Sequence, residues 1–158
     1  MKQTLSTNTE TADRRWYVID VAGMPLGRAA AAIATVVLGK HKPDFVNHAD
    51  NGDFVVVLNA AQVKVTGHKG TDKLYRRHSR YPGHMTERSF DEMMTRDPRL
   101  VVELAVRRML PKNKLGDKLI KKVKVYRDDK HRNVAQQPEP FPEHVLVGPR
   151  MLREVRSR

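Results

Sequence analysis

An α/β fold with a layered sheet is predicted by three features: a β-branched and aromatic run at 15–21, an Ala-rich helical segment soon after it, and a near-continuous apolar run at 53–58. The first run, RWYVIDV, leads into Ala22-Gly23-Met24-Pro25-Leu26-Gly27, whose two glycines and proline mark a turn. Arg28 to Leu38 (RAAAAIATVVL) places Ile33, Val36 and Val37 on one helical face, and Gly39 stands where a C-cap belongs. Strand, turn and helix form a βα unit. The run DFVVVL at 53–58 reads as a central strand covered on both faces, and VKVT at 63–66 as a second short strand.

From His68 to Arg88 apolar periodicity disappears, and the segment reads as a long basic loop with tyrosines and histidines interleaved. Ser89 opens a helix running to about Arg96, with Glu92 placed to complete a capping box. Asp97 and Pro98 read as N-cap and first position of a helix that reaches Leu110 and stops before Pro111. Glu103 and Arg107 are spaced to pair on its wet side. Asn113 caps a short helix from Lys114 to Lys122, expected to bury Leu115, Leu119 and Ile120 while fanning Lys114, Lys118, Lys121 and Lys122 outward. VKVY at 123–126 alternates like a last strand. A chain of 158 residues suits one domain, so the expected division is a flexible polar tail at 1–14, an α/β domain at 15–132 and an extended Pro-containing tail at 133–158.

Lys and Arg number 30 against 18 Asp and Glu, a net charge of +12. The surplus is regional. Residues 61–132 hold 20 basic and 9 acidic side chains, whereas residues 1–60 hold 6 of each. That asymmetry exceeds what solubility requires and makes a polyanion the expected partner. The absence of cysteine excludes disulfides and thiolate metal sites. Apolar runs fall short of the roughly 18 residues of a membrane span, and the first fourteen residues lack the apolar core of a secretory signal. A soluble protein is expected, without a membrane partner.

Gly23 and Gly27 match neither the dinucleotide nor the P-loop spacing, which favours an RNA phosphate near that helix start, aided by Arg28, over a nucleotide cofactor. None of the seven histidines has metal-ligand spacing. His41, His68, His78 and His131 each lie within two residues of a Lys or Arg, where imidazole can bond phosphate or stack on a base. His48 with Asp50 and Asp53 reads as turn and cap chemistry rather than an acid/base group. Neither a catalytic constellation nor a cofactor is expected, and the apolar helix pair at 89–110 suits no DNA recognition helix.

The candidate RNA-facing residues of the basic loop are His68, Lys69, Lys73, Arg76, Arg77, His78 and Arg80. Further along, Lys112, Lys114, Lys118, Lys121 and Lys122 crowd five ammonium groups into one stretch that an anion would neutralise, and Lys124 and Arg127 follow. Tyr75, Tyr81 and Tyr126 sit among these cations, suited either to base stacking or to packing over the sheet edge.

Over residues 15 to 138 the chain resembles the bacterial large-subunit ribosomal protein L-thirteen family. The resemblance is carried by Trp16-Tyr17 with Asp20, Leu26-Gly27-Arg28, Gly39-Lys40-His41-Lys42, and His48 with Asp50, Gly52 and Asp53. It continues through Val57-Leu58-Asn59-Ala60, Val65-Thr66-Gly67, Thr71-Asp72-Lys73 with Tyr75 and His78, and Met109-Leu110-Pro111-Lys112. Leu115-Gly116, Lys124-Val125-Tyr126 and Ala135-Gln136-Gln137-Pro138 complete it. The resemblance implies a three-layer α/β/α domain around a small, mostly parallel four-stranded sheet, without catalytic activity. It also implies a structural part of the large ribosomal subunit that binds large-subunit ribosomal RNA early in assembly, beside neighbouring ribosomal proteins rather than as an independent homo-oligomer. The corresponding location is the ribosome, in a bacterial cytoplasm or an organelle. RNA contact is implied by similarity for Arg28, Lys40, His41, Lys42, Lys69, Lys73, His78, Lys112 and Lys124. One departure stands out: Arg108 occupies a position where the family usually has glycine, which bears on how the helix ends there.

Overall fold

Bulky, branched residues favour an extended backbone, and they supply the first strand, β1 (Trp16–Asp20). The computed structural model describes residues 9–10 and 12–146; most of the tail expected at 1–14, and residues 147–158, lie outside the described part. After a turn at Gly23, helix α1 (Leu26–Leu38) begins two residues earlier than its apolar pattern predicts, with Pro25 as its N-cap and Leu26 and Gly27 in its first turn. Gly39 ends it in the left-handed conformation (φ 84°), where a side chain would be strained, and its N–H returns to the last turn. Ala29, Ala30, Ile33, Val36 and Val37 are fully buried on one side of α1. Burying each larger member of that stripe stabilises the fold by roughly 1.5–3 kcal/mol.

Strand β2 (Phe54–Leu58) runs parallel to β1, pairing Trp16 with Phe54 through Asp20 with Leu58. Val55, Val56 and Val57 are all fully buried, so both faces of β2 are shut off from water, as its continuous apolar run requires. A short 3-10 turn (Ala60–Gln62) follows. The expected strand at 63–66 does not form; Lys64 makes a single parallel bridge to Pro25.

Residues 68–88 are not the predicted loop. They contain a short helix, α2 (Lys69–Asp72), and an antiparallel hairpin of β3 (Leu74–His78) and β4 (Met85–Ser89), registered from Leu74 opposite Ser89 to His78 opposite Met85. Only Tyr75 of β3 is buried. A ribbon wet on nearly every side carries no apolar alternation, so the sequence signal for strands is missing.

Helix α3 (Phe90–Arg96) carries the capping box: Ser89 Oγ accepts from the Glu92 amide at 3.3 Å, and the Ser89 amide donates to Glu92 Oε2 at 3.2 Å. Helix α4 (Pro98–Met109) follows at once, with Asp97 Oδ1 accepting from the Arg99 amide at 3.2 Å and Pro98 in the first turn. Val101, Val102 and Val106 are fully buried. With Leu110 as its C-cap, α4 runs through Arg108 undisturbed. Arg107 reaches not Glu103 but Asp117, at 3.4 Å.

Asn113 Oδ1 accepts from the Gly116 amide at 2.9 Å and caps α5 (Lys114–Leu119), which tightens into a 3-10 turn (Ile120–Lys122) before β5 (Val123–Val125). Strand β6 (Glu139–Pro140) and a last helical turn, α6 (Glu143–Leu146), close the described chain. The main sheet has four strands in the order β5-β2-β1-β6, every neighbouring pair parallel. The predicted mixed α/β fold with a small parallel sheet is therefore present, but its fourth strand comes from 139–140 rather than from 63–66. Phe141, next to β6, enters the same core as Ile19, Val55, Val57 and the buried stripes of α1 and α4.

Candidate nucleic-acid interface

The hairpin projects cations because only Tyr75 ties it to the core. Arg76, Arg77, His78 and Arg80 are all exposed; Arg76 pairs with Glu87 across the ribbon at 2.7 Å. His78 Nδ1 accepts from the Arg80 amide at 3.1 Å, and Arg80 turns the chain with φ 60°. At the tip, Tyr81 is 72% exposed and meets His84 edge-on, with ring centroids 6.4 Å apart. A large aromatic held in water beside Arg80 is a platform on which a base can stack. Of the alternatives open for the tyrosines, Tyr81 therefore suits stacking and Tyr75 packing.

A second basic surface runs from the end of α4 to β5. Lys112, Lys114, Lys118, Lys121, Lys124 and Arg127 are exposed along it. Lys122, expected to point outward with them, does not: it is 5% exposed, pairs with Asp50, and donates to the Gly52 carbonyl at 2.8 Å. The turn into 3-10 geometry at Ile120 moves it off the outer face. Burial depresses its ammonium pKa, with Arg14 pressing the same way while Asp50 opposes.

His41 and Lys42 also face inward. Asp53, fully buried, receives Lys42 Nζ at 2.6 Å and the Arg15 amide at 2.9 Å on Oδ1, while His41 Nε2 lies 2.8 Å from Oδ2. As oriented, the imidazole falls outside good hydrogen-bond alignment with that oxygen. Burial alone would raise the Asp53 pKa, but the His41, Lys42 and Arg15 contacts outweigh it and hold the carboxyl below its ordinary range. With Asp50 and Asp53 engaged and His48 exposed, these residues form a structural lock rather than an acid/base group.

Arg28 and Lys40 are exposed at opposite ends of α1, and Lys69 and Lys73 lie beside the α1 start, around a cavity of about 510 Å³ that Lys64 and Arg108 also line. His68 is exposed just before α2. A further cleft of about 470 Å³ between the α3–α4 junction and the segment after β5 gathers Arg96, Arg99, Lys130 and Arg132 around Arg127. Sequence reading missed these four, along with Lys64 and Arg108. Each is an unremarkable charge locally, and only the approach of distant segments makes it part of a cluster. Among the described residues no group of three or more His, Asp or Glu is placed to hold a metal, and no helix is long and apolar enough to cross a membrane.

These features define a basic α/β scaffold whose cations are displayed on a hairpin and on a helix-strand edge. The chain belongs to the ribosomal protein L13 family, whose model matches residues 14–132. Large ribosomal subunit protein uL13 of Symbiobacterium thermophilum is 47% identical over 141 residues, covering 89% of this chain and 99% of the relative. The proteins of the same description from a Synechocystis species and from Rippkaea orientalis are 50% and 51% identical over 139 residues, each covering 88% of this chain and 92% of the relative.

Proposed function

We propose that this chain is a structural, non-enzymatic constituent of the large ribosomal subunit that binds large-subunit ribosomal RNA by charge and shape and supports early assembly of the particle. One observation carries the reading. Of the 20 basic residues in 61–132, Arg76, Arg99, Arg107 and Lys122 form ion pairs with described residues, which leaves most of the exposed cations for a partner. Phosphates fill that role where RNA helices converge, and the sheet fixes the spacing between the hairpin and the 112–124 edge. His41, Lys42 and Lys122 serve this surface from beneath, by holding the 39–53 loop in place. The RNA-facing part is taken as 15–132, with β6 and Phe141 completing the same core, and the site of action is the cytoplasmic ribosome, beside neighbouring large-subunit proteins.

The test is salt dependence together with co-sedimentation. If about six phosphates are neutralised, log K for large-subunit ribosomal RNA falls with log salt at a slope of about −4 to −5. A salt-independent affinity, or a native chain that remains free of ribosomal particles at low salt, overturns the proposal.

A further inference from the structure

The geometry points to a nucleotide site: we propose that the cavity between the start of α1, the end of α4 and β3 takes one unstacked nucleotide of the bound RNA. The inference rests on the RNA-binding reading above and adds to it a defined pocket. At about 510 Å³ the cavity falls within the roughly 300–1,000 Å³ typical of ligand sites. Its two kinds of wall match the two halves of a nucleotide. Leu26, Val65, Ala105 and Met109 offer an apolar surface for a base, and Lys69, Lys73 and Arg108 bring cations to the same cavity for the phosphate.

Two observations point to a ligand at this wall. Tyr75 is 7% exposed, yet its buried hydroxyl has no hydrogen-bond partner, a state that is costly unless a ligand supplies an acceptor or donor. The three cations also crowd one another: besides burial, repulsion from Arg108 and Lys69 depresses the Lys73 pKa, and an entering phosphate relieves it. Lys73 Nζ stands 5.4 Å from the centre of the Tyr75 ring, so cation and aromatic wall adjoin. Asp72 is the carboxylate at this cavity, and its Oδ1 accepts from the Thr71 hydroxyl at 3.2 Å. Base against Tyr75 and the aliphatic wall, phosphate toward Lys69, Lys73 and Arg108, is the arrangement that satisfies all of these groups.

The test uses the full chain, the four ribonucleoside 5′-monophosphates, inorganic phosphate, and large-subunit ribosomal RNA substituted with 4-thiouridine. Tyr75→Phe removes only the unpartnered hydroxyl, so the fold should be as stable as before or more so, while mononucleotide affinity falls about two- to tenfold, the worth of one hydrogen bond. Arg108→Gln lowers the same affinity. Ala105→Phe fills the cavity and abolishes binding; should it fail to fold, the other two variants still decide. Light-induced RNA adducts are expected on Tyr75 and on the end of α4. The inference is overturned if Tyr75→Phe and Arg108→Gln bind as the unaltered chain does, or if inorganic phosphate binds as tightly as the nucleotides. Mononucleotide binding with RNA adducts confined to other surfaces overturns RNA as the source. A chain that binds RNA normally but gives none of these effects sinks the pocket alone, whereas one that binds no RNA sinks the proposed function as well.

Discussion

Lys122 and Gly52, seventy residues apart, are joined by a 2.8 Å hydrogen bond from the Lys122 ammonium to the Gly52 carbonyl, and the same ammonium pairs with Asp50. This cation, on the most basic stretch of the chain, faces the interior and ties the segment before β5 to the loop before β2. Without Lys122 the Gly52 carbonyl loses its charged donor and, among the described residues, Asp50 keeps only Arg14, 3.8 Å away. Lys122→Ala should therefore cost about 1.5–3 kcal/mol of unfolding free energy. Lys118→Ala, on the exposed face, should change stability by no more than about 0.5 kcal/mol. Urea unfolding of the two variants, compared at equal slope, checks the contrast.

Gly52 is constrained by space rather than by charge. A Cβ there would stand 1.7 Å from the Val37 carbonyl oxygen, because the loop before β2 packs directly on the end of α1. The backbone cannot yield without breaking the Gly39 cap and the Lys122 contact together. Gly52→Ala is expected to destabilise by more than about 3 kcal/mol, in the range of severe overpacking. A thermal midpoint within a few degrees of the unaltered chain would contradict it.

Asp53 gives the fold an acid limit. Its folded pKa lies below the ordinary 3.8 of the unfolded chain, so as pH falls the unfolded state takes up the proton first. The stabilisation from His41, Lys42 and the Arg15 amide is fully present above pH 3.8 and is lost as pH drops through the lower folded value. Asp53→Asn should remove most of this dependence and leave a less stable chain at neutral pH. Unfolding curves at stepped pH from 7 to 2, for both proteins, are the measurement; parallel pH profiles would refute the assignment.

The hairpin tip separates charge from stacking. Removing Arg77 should weaken RNA binding and reduce the magnitude of the salt slope by about 1. Tyr81→Ala should leave the slope unchanged while costing about 1–3 kcal/mol of affinity, the range for a base stacked on an aromatic ring. Both follow from filter-binding titrations at several salt concentrations. Equal slopes for all three proteins would place Arg77 away from phosphate.

The capping residues show how far local chemistry reaches. Ser89 with Glu92, Asp97 with Pro98, and Asn113 each satisfy backbone amides within three residues, so their types and spacing alone located the starts of α3, α4 and α5. The apolar run at 54–58 and the stripe of α1 were legible for the same reason, since burial on a regular element leaves its period in the chain. The hairpin was not, because an exposed ribbon has no buried face to impose one. The strand at 139–140 was hidden too: two residues, one of them Pro140, carry no pattern, and their strand character comes only from the free edge of β1.

By itself, then, the sequence determined an α/β core, the capped starts of α3, α4 and α5, and a basic surplus concentrated at 61–132, because propensity, capping and net charge are properties of short stretches. Tertiary structure decided which cations face outward. Lys118 and Lys122 are four residues apart and chemically identical, yet one is exposed and the other is buried against Asp50 and Gly52. The difference lies in partners about seventy positions away in the chain, which only folding brings into reach.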